Sequence, residues 1–435
     1  MAEVAPFRGL HYNEALVGDL SKVVCPPYDV ISPQGEQELN SLSQYNFIRL
    51  EHNRELPQDT AADNKYTRSA ATLEKWLKEG VLVTDDEPAI YIHDHEFTCQ
   101  GRKYRRRGLV VRVRLEEWDK MVVRPHEGTL AGPKSDRINL LWALKANTSP
   151  IMALFEDRDK RLARFLPQVE ESKPLMRFKQ ANGEVHTVRV ITRPEVIGGI
   201  AGTLADKPLY IADGHHRYES ALVYRREQYA CSSSISADAP LNFVMMTLID
   251  FADPGLVILP PHRLLRGLSP SNVAELGRKL ISFFDVQSLA LDLPDVWERV
   301  DGWLAEPDEI RLVLFGLTTD ELLLLTLRDF TTASKLIPYF HSEVYKRLDV
   351  SVVDHIILEE LLGLSSGEEA RIDYNYNRRD AVSRVLAGEY QLAFIIKAVR
   401  PEVIKAIADA GDRMPRKSTY FYPKLPSGML FYRLV

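Results

Sequence analysis

Five consecutive residues, Asp213-Gly214-His215-His216-Arg217, put a carboxylate, a glycine, two imidazoles and a guanidinium at one point of the chain. An apolar run from Pro208 to Ala212 leads into them and a helical pattern follows. Glycine lets backbone N–H groups approach a ligand closely. A helix N-terminus favours phosphate through its unpaired N–H groups and its dipole, and Arg217 can grip phosphate oxygens bidentately. Asp213 is a candidate Mg²⁺ ligand, or a proton acceptor from a hydroxyl. Two other readings compete: a helix cap with histidines satisfying nearby carbonyls, and a transition-metal site, which adjacent histidines cannot easily share.

A second segment, Val123-Arg124-Pro125-His126-Glu127-Gly128-Thr129, is followed by Gly132-Pro133-Lys134-Ser135-Asp136-Arg137. Glycines and prolines among charges predict a shaped loop. Glu127 is a candidate general base, and Lys134 and Arg137 are candidate phosphate binders; the alternative is a surface loop with mutual salt bridges. No Gly-x-x-x-x-Gly-Lys-Ser/Thr pattern occurs, so this is not a Walker loop. Pro26-Pro27-Tyr28-Asp29 is a rigid turn that can aim Asp29 into a cleft. Lys417 and Ser418, in the Arg413–Thr419 stretch, offer a cation and a hydroxyl for a carboxylate or phosphate. Asp29, Arg124, His126, Lys417 and Ser418 are the candidate substrate contacts. His262 and Arg263 follow a Pro-Pro turn and are expected to be structural. His93 and His95 share one face of a strand; with no third ligand nearby in sequence, they are expected to be surface or core histidines. The basic run Arg102–Arg107 reads as a solvated strand face.

Alternating helical and strand patterns predict an α/β or α+β mixed fold. Residues 58–79 read as a helix stopped by Gly80. Segments 88–98 and 103–115 read as strands joined by a turn at Gln100-Gly101-Arg102. A short helix is expected from Arg137 to Asn147, a buried strand over 207–212, a helix over 216–230 and a strong strand over 242–250. After Pro260-Pro261, Ser269-Pro270 marks a helix start. The Pro-rich turn suggests a boundary at 268, giving regions 1–268 and 269–435.

The chain has 435 residues, 45% of them hydrophobic and 27% charged, with a net charge of −6. That length favours more than one domain, and the acidic balance argues against nucleic-acid binding. Cys25, Cys99 and Cys231 are odd in number and far apart, which disfavours disulfides and a cysteine zinc site and fits a reducing compartment. No signal-peptide pattern or spanning apolar stretch occurs, so a cytoplasmic protein with no membrane partner is expected.

The Asp213–Arg217 turn after a strand resembles the phosphate-binding turn of the ParB/sulfiredoxin-like superfamily. Its two-histidine form is similar to that of archaeal free-serine kinases, which also carry a His-Glu pair upstream, matched here by His126-Glu127. The resemblance implies a ParB/sulfiredoxin-like core with large additional α/β regions. It implies Glu127 as base on the hydroxyl of free L-serine, and Asp213 as a second acidic group. Gly214, His215, His216 and Arg217 become the phosphate cradle, with Mg²⁺ as cofactor and pyrophosphate, ADP or ATP as donor. The full chain also resembles DUF1015, a family catalogued as a domain of unknown function. The matching stretches are Cys25–Ser32, Arg124–Glu127, Lys134–Arg137, Asp213–Arg217 and Met414–Lys424. In the compact kinases a short crossover separates the glutamate from the turn; here the separation is long. The alternative function is a nucleotide-binding or nucleotide-hydrolysing regulatory protein of the ParB type. Sulfiredoxin chemistry is excluded, because His215 stands where the reactive cysteine is required.

Overall fold

The computed structural model describes residues 2–435 except 130, 166, 233, 307–308 and 365–368. The fold is mixed α/β. Contacts divide the chain into two compact units. The first comprises Met1–Pro125, Thr129–Val257 and Pro423–Val435; the second comprises His126–Gly128 and Ile258–Tyr422. The chain therefore passes between units more often than one boundary near residue 268 allows: a tripeptide from the first half joins the second unit, and the C-terminus returns to the first. The reason is pairing across long chain separations. Cys25 bridges Ser427 in the first unit, and Glu127 bridges Met414 in the second.

The first unit is built on a mixed sheet. Its strands, in chain order, are β1 (Val4–Ala5), β2 (Ile90–Cys99), β3 (Arg102–Arg114), β4 (Val123–Arg124), β5 (Ile151–Phe155), β6 (Met176–Lys179), β7 (Val185–Ile191), β8 (Leu209–Asp213) and β9 (Phe243–Asp250). They lie in the order β4-β8-β5-β9-β3-β2-β7-β6, with β1 also paired to β3. The β8–β4 and β9–β5 pairs are parallel; the others are antiparallel. The β2–β3 hairpin closes through Gln100 (φ 49°) and Gly101 (φ 78°), the positive-φ pair that a two-residue turn needs to match strand twist. Central β9 is buried along nearly all its length, as a strand covered on both faces must be.

Helix α1 spans Lys65–Lys78, α2 Ala131–Leu144 and α3 His215–Cys231. Helix α1 ends before Gly80, whose φ of 73° breaks the helical path. The expected loop over 132–137 is instead the start of α2; a proline in a first turn gives up an N–H that has no helical partner there. Lys145, at φ 47°, ends that helix before residue 147. Trp142 of α2 meets Tyr224 of α3 edge-on, with ring centroids 4.8 Å apart.

The second unit holds an antiparallel sheet of β10 (His262–Leu265), β11 (Phe284–Ala290), β12 (Arg311–Phe315), β13 (Glu321–Leu327), β14 (Ile372–Asn375) and β15 (Leu392–Ile395). Its order is β11-β13-β12-β15-β10-β14. Ser269 caps the Pro270–Leu280 helix through Asn272 N, as its sequence predicts. His262 and Arg263 are buried on β10, where Arg263 donates to Pro261 O at 2.7 Å. Among the described residues no helix is long and apolar enough to cross a membrane.

Candidate active site

In the first unit, the strand–turn–helix around Asp213 forms as its residues dictate. Leu209 to Ala212 are buried on β8. Pairing with β5 slips between Ile211 and Asp213, a bulge of the kind that re-aims a side chain at a strand end. Gly214 follows at φ 96° and is the N-cap of α3, with no side-chain cap on the helix. The N-cap glycine itself offers no side-chain acceptor to the first-turn N–H groups.

Arg217 folds back over the turn. A Cβ on Gly214 would lie 3.0 Å from Arg217 Nε and 3.2 Å from its Nη2. The glycine is therefore required twice, by its backbone angle and by the guanidinium packed against it. Arg217 Nη2 donates to Asp213 Oδ2 at 2.6 Å, and Nη1 donates to Pro150 O at 2.6 Å. Its Nε is buried without a hydrogen-bond partner. Lys424 Nζ donates to Asp213 Oδ1 and lies 4.0 Å from Asp29 Oδ2. Burial pushes the Asp213 carboxyl upward, but Lys424 and Arg217 outweigh it and hold the group well below the usual carboxylate range. Lys424 was absent from the sequence candidates, although it ends the Met414–Lys424 motif.

Tyr28 sits beside these charges. Burial pushes its hydroxyl up to about 12, opposed by Arg137 and Arg217. Arg137 lies 4.0 Å from the Tyr28 ring centroid and is itself buried. It donates to Glu51 Oε1 at 3.1 Å and to Asp136 Oδ2 at 2.5 Å. Glu51 also accepts from Thr148 at 2.8 Å and Ser149 at 3.2 Å. The Arg137 guanidinium is thus paired with two carboxylates and packed on the Tyr28 ring. Arg137 and Arg217 nevertheless border one small cavity of about 40 Å³ with Ser149 and Ser220.

One turn along α3, Glu219 gathers the other candidates. It accepts from Thr129 Oγ1 and, at 3.0 Å, from Lys134 Nζ. Burial raises its pKa, while those bonds and the charges of Lys134 and His216 bring it below the usual value. His215 is buried at the helix start and His216 is half-buried. Arg124 lies opposite Tyr210 in the β4–β8 register and donates to the Tyr210 hydroxyl at 3.3 Å and to Met121 O at 2.8 Å.

In the second unit, His126 and Glu127 meet the 414–419 loop. Met414 N donates to His126 O at 2.7 Å. His126 Nε2 lies 3.1 Å from Thr419 Oγ1, whose hydroxyl donates to Glu127 Oε1 at 3.3 Å. Ser418 is buried and donates to Pro415 O at 2.5 Å, while Lys417 is exposed at φ 53°. Two distant motifs thus converge here, and Lys424 joins Asp213 in the first unit.

A Mg²⁺ ion held by Asp213 does not fit this arrangement. Each carboxylate oxygen already faces a cation, Arg217 on one side and Lys424 on the other, whereas Mg²⁺ requires several oxygen ligands around it.

No curated protein matches the sequence. Among solved structures, the chain is similar to a free serine kinase in complex with AMP, at 13% identity and TM-score 0.34, over 74% of this chain and 92% of that one. It is similar to a conserved hypothetical protein from Pyrococcus furiosus, at 14% identity and TM-score 0.34, over 74% and 93%. It is also similar to SbnI with C-terminal truncation from Staphylococcus aureus, at 10% identity and TM-score 0.33, over 73% and 84%. The family described as "Protein of unknown function (DUF1015)" matches residues 4–351, which include the Asp213–Arg217 turn and stop short of Met414–Lys424. This chain belongs to the DUF1015 family.

Proposed function

We propose that this protein is a cytoplasmic phosphotransferase that phosphorylates the hydroxyl of free L-serine, giving O-phospho-L-serine. The observation that carries the reading is the turn at Gly214. A helix N-terminus that starts at glycine, the half-buried Arg217 with its unpartnered Nε, and Lys424 lie together there. Preorganised cations and N–H groups in a half-buried site are what a transferring phosphoryl group needs. Gly214, His215, His216 and Arg217 form the proposed cradle, with Lys134 held nearby through Glu219.

Asp213 is a poor proton acceptor, because two cations hold it ionised; its proposed work is to hold Arg217 and Lys424 in place. The base on the serine hydroxyl is then Glu127, whose carboxylate is oriented by Thr419. A base makes serine's weakly nucleophilic hydroxyl reactive. Asp29, Arg124, His126, Lys417 and Ser418 remain the proposed substrate contacts. The proposed donor is pyrophosphate, ADP or ATP, with magnesium as the counterion that would neutralise its phosphate charge.

The test uses purified protein, L-serine and MgCl₂ with pyrophosphate, ADP or ATP in separate reactions, followed by phosphorus NMR. O-phosphoserine from one donor is the expected result. No phosphoserine from any of the three overturns the reading.

A further inference from the structure

The histidines on β2 do not stand alone. Strand β7 pairs with β2 so that His186 lies opposite His95 and Val188 opposite His93. All three imidazoles are buried, at 2% exposure or less. Glu184, immediately before β7, turns its carboxylate onto them. One donor atom from each of His95, Glu184 and His186 lies within 4.8 Å of the other two.

We propose that His95, Glu184 and His186 form a buried zinc site, held by Nε2 of each histidine and the Glu184 carboxylate. The Glu184 Oε2 atom is 2.8 Å from His95 Nε2 and 3.9 Å from His186 Nε2. Ligand atoms around a tetrahedral zinc, at Zn–N and Zn–O distances of about 2.0–2.2 Å, lie about 3.3 Å apart, so small side-chain rotations close this set on an ion. His186 Nε2 is the telling atom. It is fully buried, has no hydrogen-bond partner and faces Glu184. A buried polar nitrogen without a partner costs stability, and a ligated cation removes that cost.

His93 is placed as an outer partner of the set. His93 Nε2 lies 3.0 Å from His186 Nδ1; a proton on Nδ1 donated to His93 leaves the lone pair of His186 Nε2 for an ion, the usual role of an outer partner. Arg106 faces the cluster from β3, donating through Nη2 to His95 Nδ1 at 3.1 Å and to Pro423 O at 2.7 Å. In the ion-free state this sets the His95 proton on Nε2, directed at Glu184. Zinc takes that position: the proton moves from Nε2 to Nδ1, the ring stays neutral, and the Arg106 Nη2 donor, which Nδ1 no longer accepts, turns to Pro423 O alone. The fourth position belongs to water or another small donor.

The full-length protein, stripped with chelator and kept in saturating MgCl₂, is titrated with ZnSO₄ and separately with CoCl₂. Mass spectrometry of the dialysed protein is expected to give one zinc per chain, and cobalt to give visible ligand-field bands of a four-coordinate site. X-ray absorption of the unaltered zinc protein is expected to show two imidazole ligands, a readout that needs no variant to fold. Glu184→Gln is expected to lower zinc affinity at least tenfold, and His93→Gln, at the outer partner, about 10–100-fold. His215→Gln is expected to leave the stoichiometry at one. No retained zinc, an absorption spectrum without histidine scattering, or a zinc affinity unchanged by Glu184→Gln overturns the site.

Discussion

Lys424→Met removes one of the two cations on Asp213. The two side chains of that pair are only 15% and 18% exposed. Removing one partner of a buried pair costs about 3–5 kcal/mol; Arg217 remains on the carboxylate, which sets the expected loss near 3 kcal/mol at pH 7. The loss has a pH signature. In the intact protein the Asp213 pKa is depressed, so the stability it contributes is present above the ordinary carboxylate pKa and lost as pH falls towards the folded value. Without Lys424 the folded pKa rises towards that of the unfolded chain. The stability gap between the two proteins then narrows by about 1.4 kcal/mol per pH unit between about pH 4 and pH 2. Urea unfolding followed by tryptophan fluorescence at pH 7, 4, 3 and 2 measures it. Equal stability at pH 7, or a gap that stays constant down to pH 2, refutes the account of Lys424 and Asp213 as a coupled pair. The same substitution is expected to lower kcat/KM about 10²–10³-fold, as loss of one charge-stabilising donor does.

Glu127→Gln is expected to abolish phosphoserine formation while donor binding, measured by calorimetry, persists; full activity would remove Glu127 as the base. Gly214→Ala forces a Cβ against Arg217 at a φ of 96° and is expected to cost about 1–2 kcal/mol of stability together with donor affinity, whereas an unchanged melting temperature would argue against the packed turn. Burial pushes the carboxyl of Asp349 up to about 7, against the pull of Lys397. Its folded pKa lies above the unfolded one, so stability is full at low pH and declines as pH rises through about 4 to 7. Asp349→Asn is therefore expected to stabilise the protein at pH 8 and to do little at pH 4, which thermal melts at the two values would show.

The local pieces of this protein are legible in its residues. A buried run ending in Asp213-Gly214 must leave a strand and start a helix, because only glycine takes that backbone angle cheaply. Gln100-Gly101 between two alternating runs must close a hairpin, and Ser269-Pro270 must open a helix. These signals are local because they arise from backbone preferences and side-chain periodicity within a few residues. The reading of residues 132–137 as a loop failed on the same local level: a proline that looks like a breaker is tolerated in a helix's first turn.

The partners of each charged group were decided elsewhere. Lys424 reaches Asp213 across 211 residues, and Arg137 reaches Glu51 across 86. His186 lies 93 residues from the histidine it touches on β2. No spacing rule connects such positions, since the order of strands in the sheet brings them together. Sequence alone therefore marked the Asp213–Arg217 turn and the His126-Glu127 pair as chemically loaded. Only the tertiary structure decided that Arg137 pairs with Glu51 and Asp136, that Asp213 is held ionised between two cations, and that Glu184 and His186 lie beside the two histidines of β2. The physical reason is that the charge state of a buried group depends on which opposite charges the fold packs within a few ångströms of it.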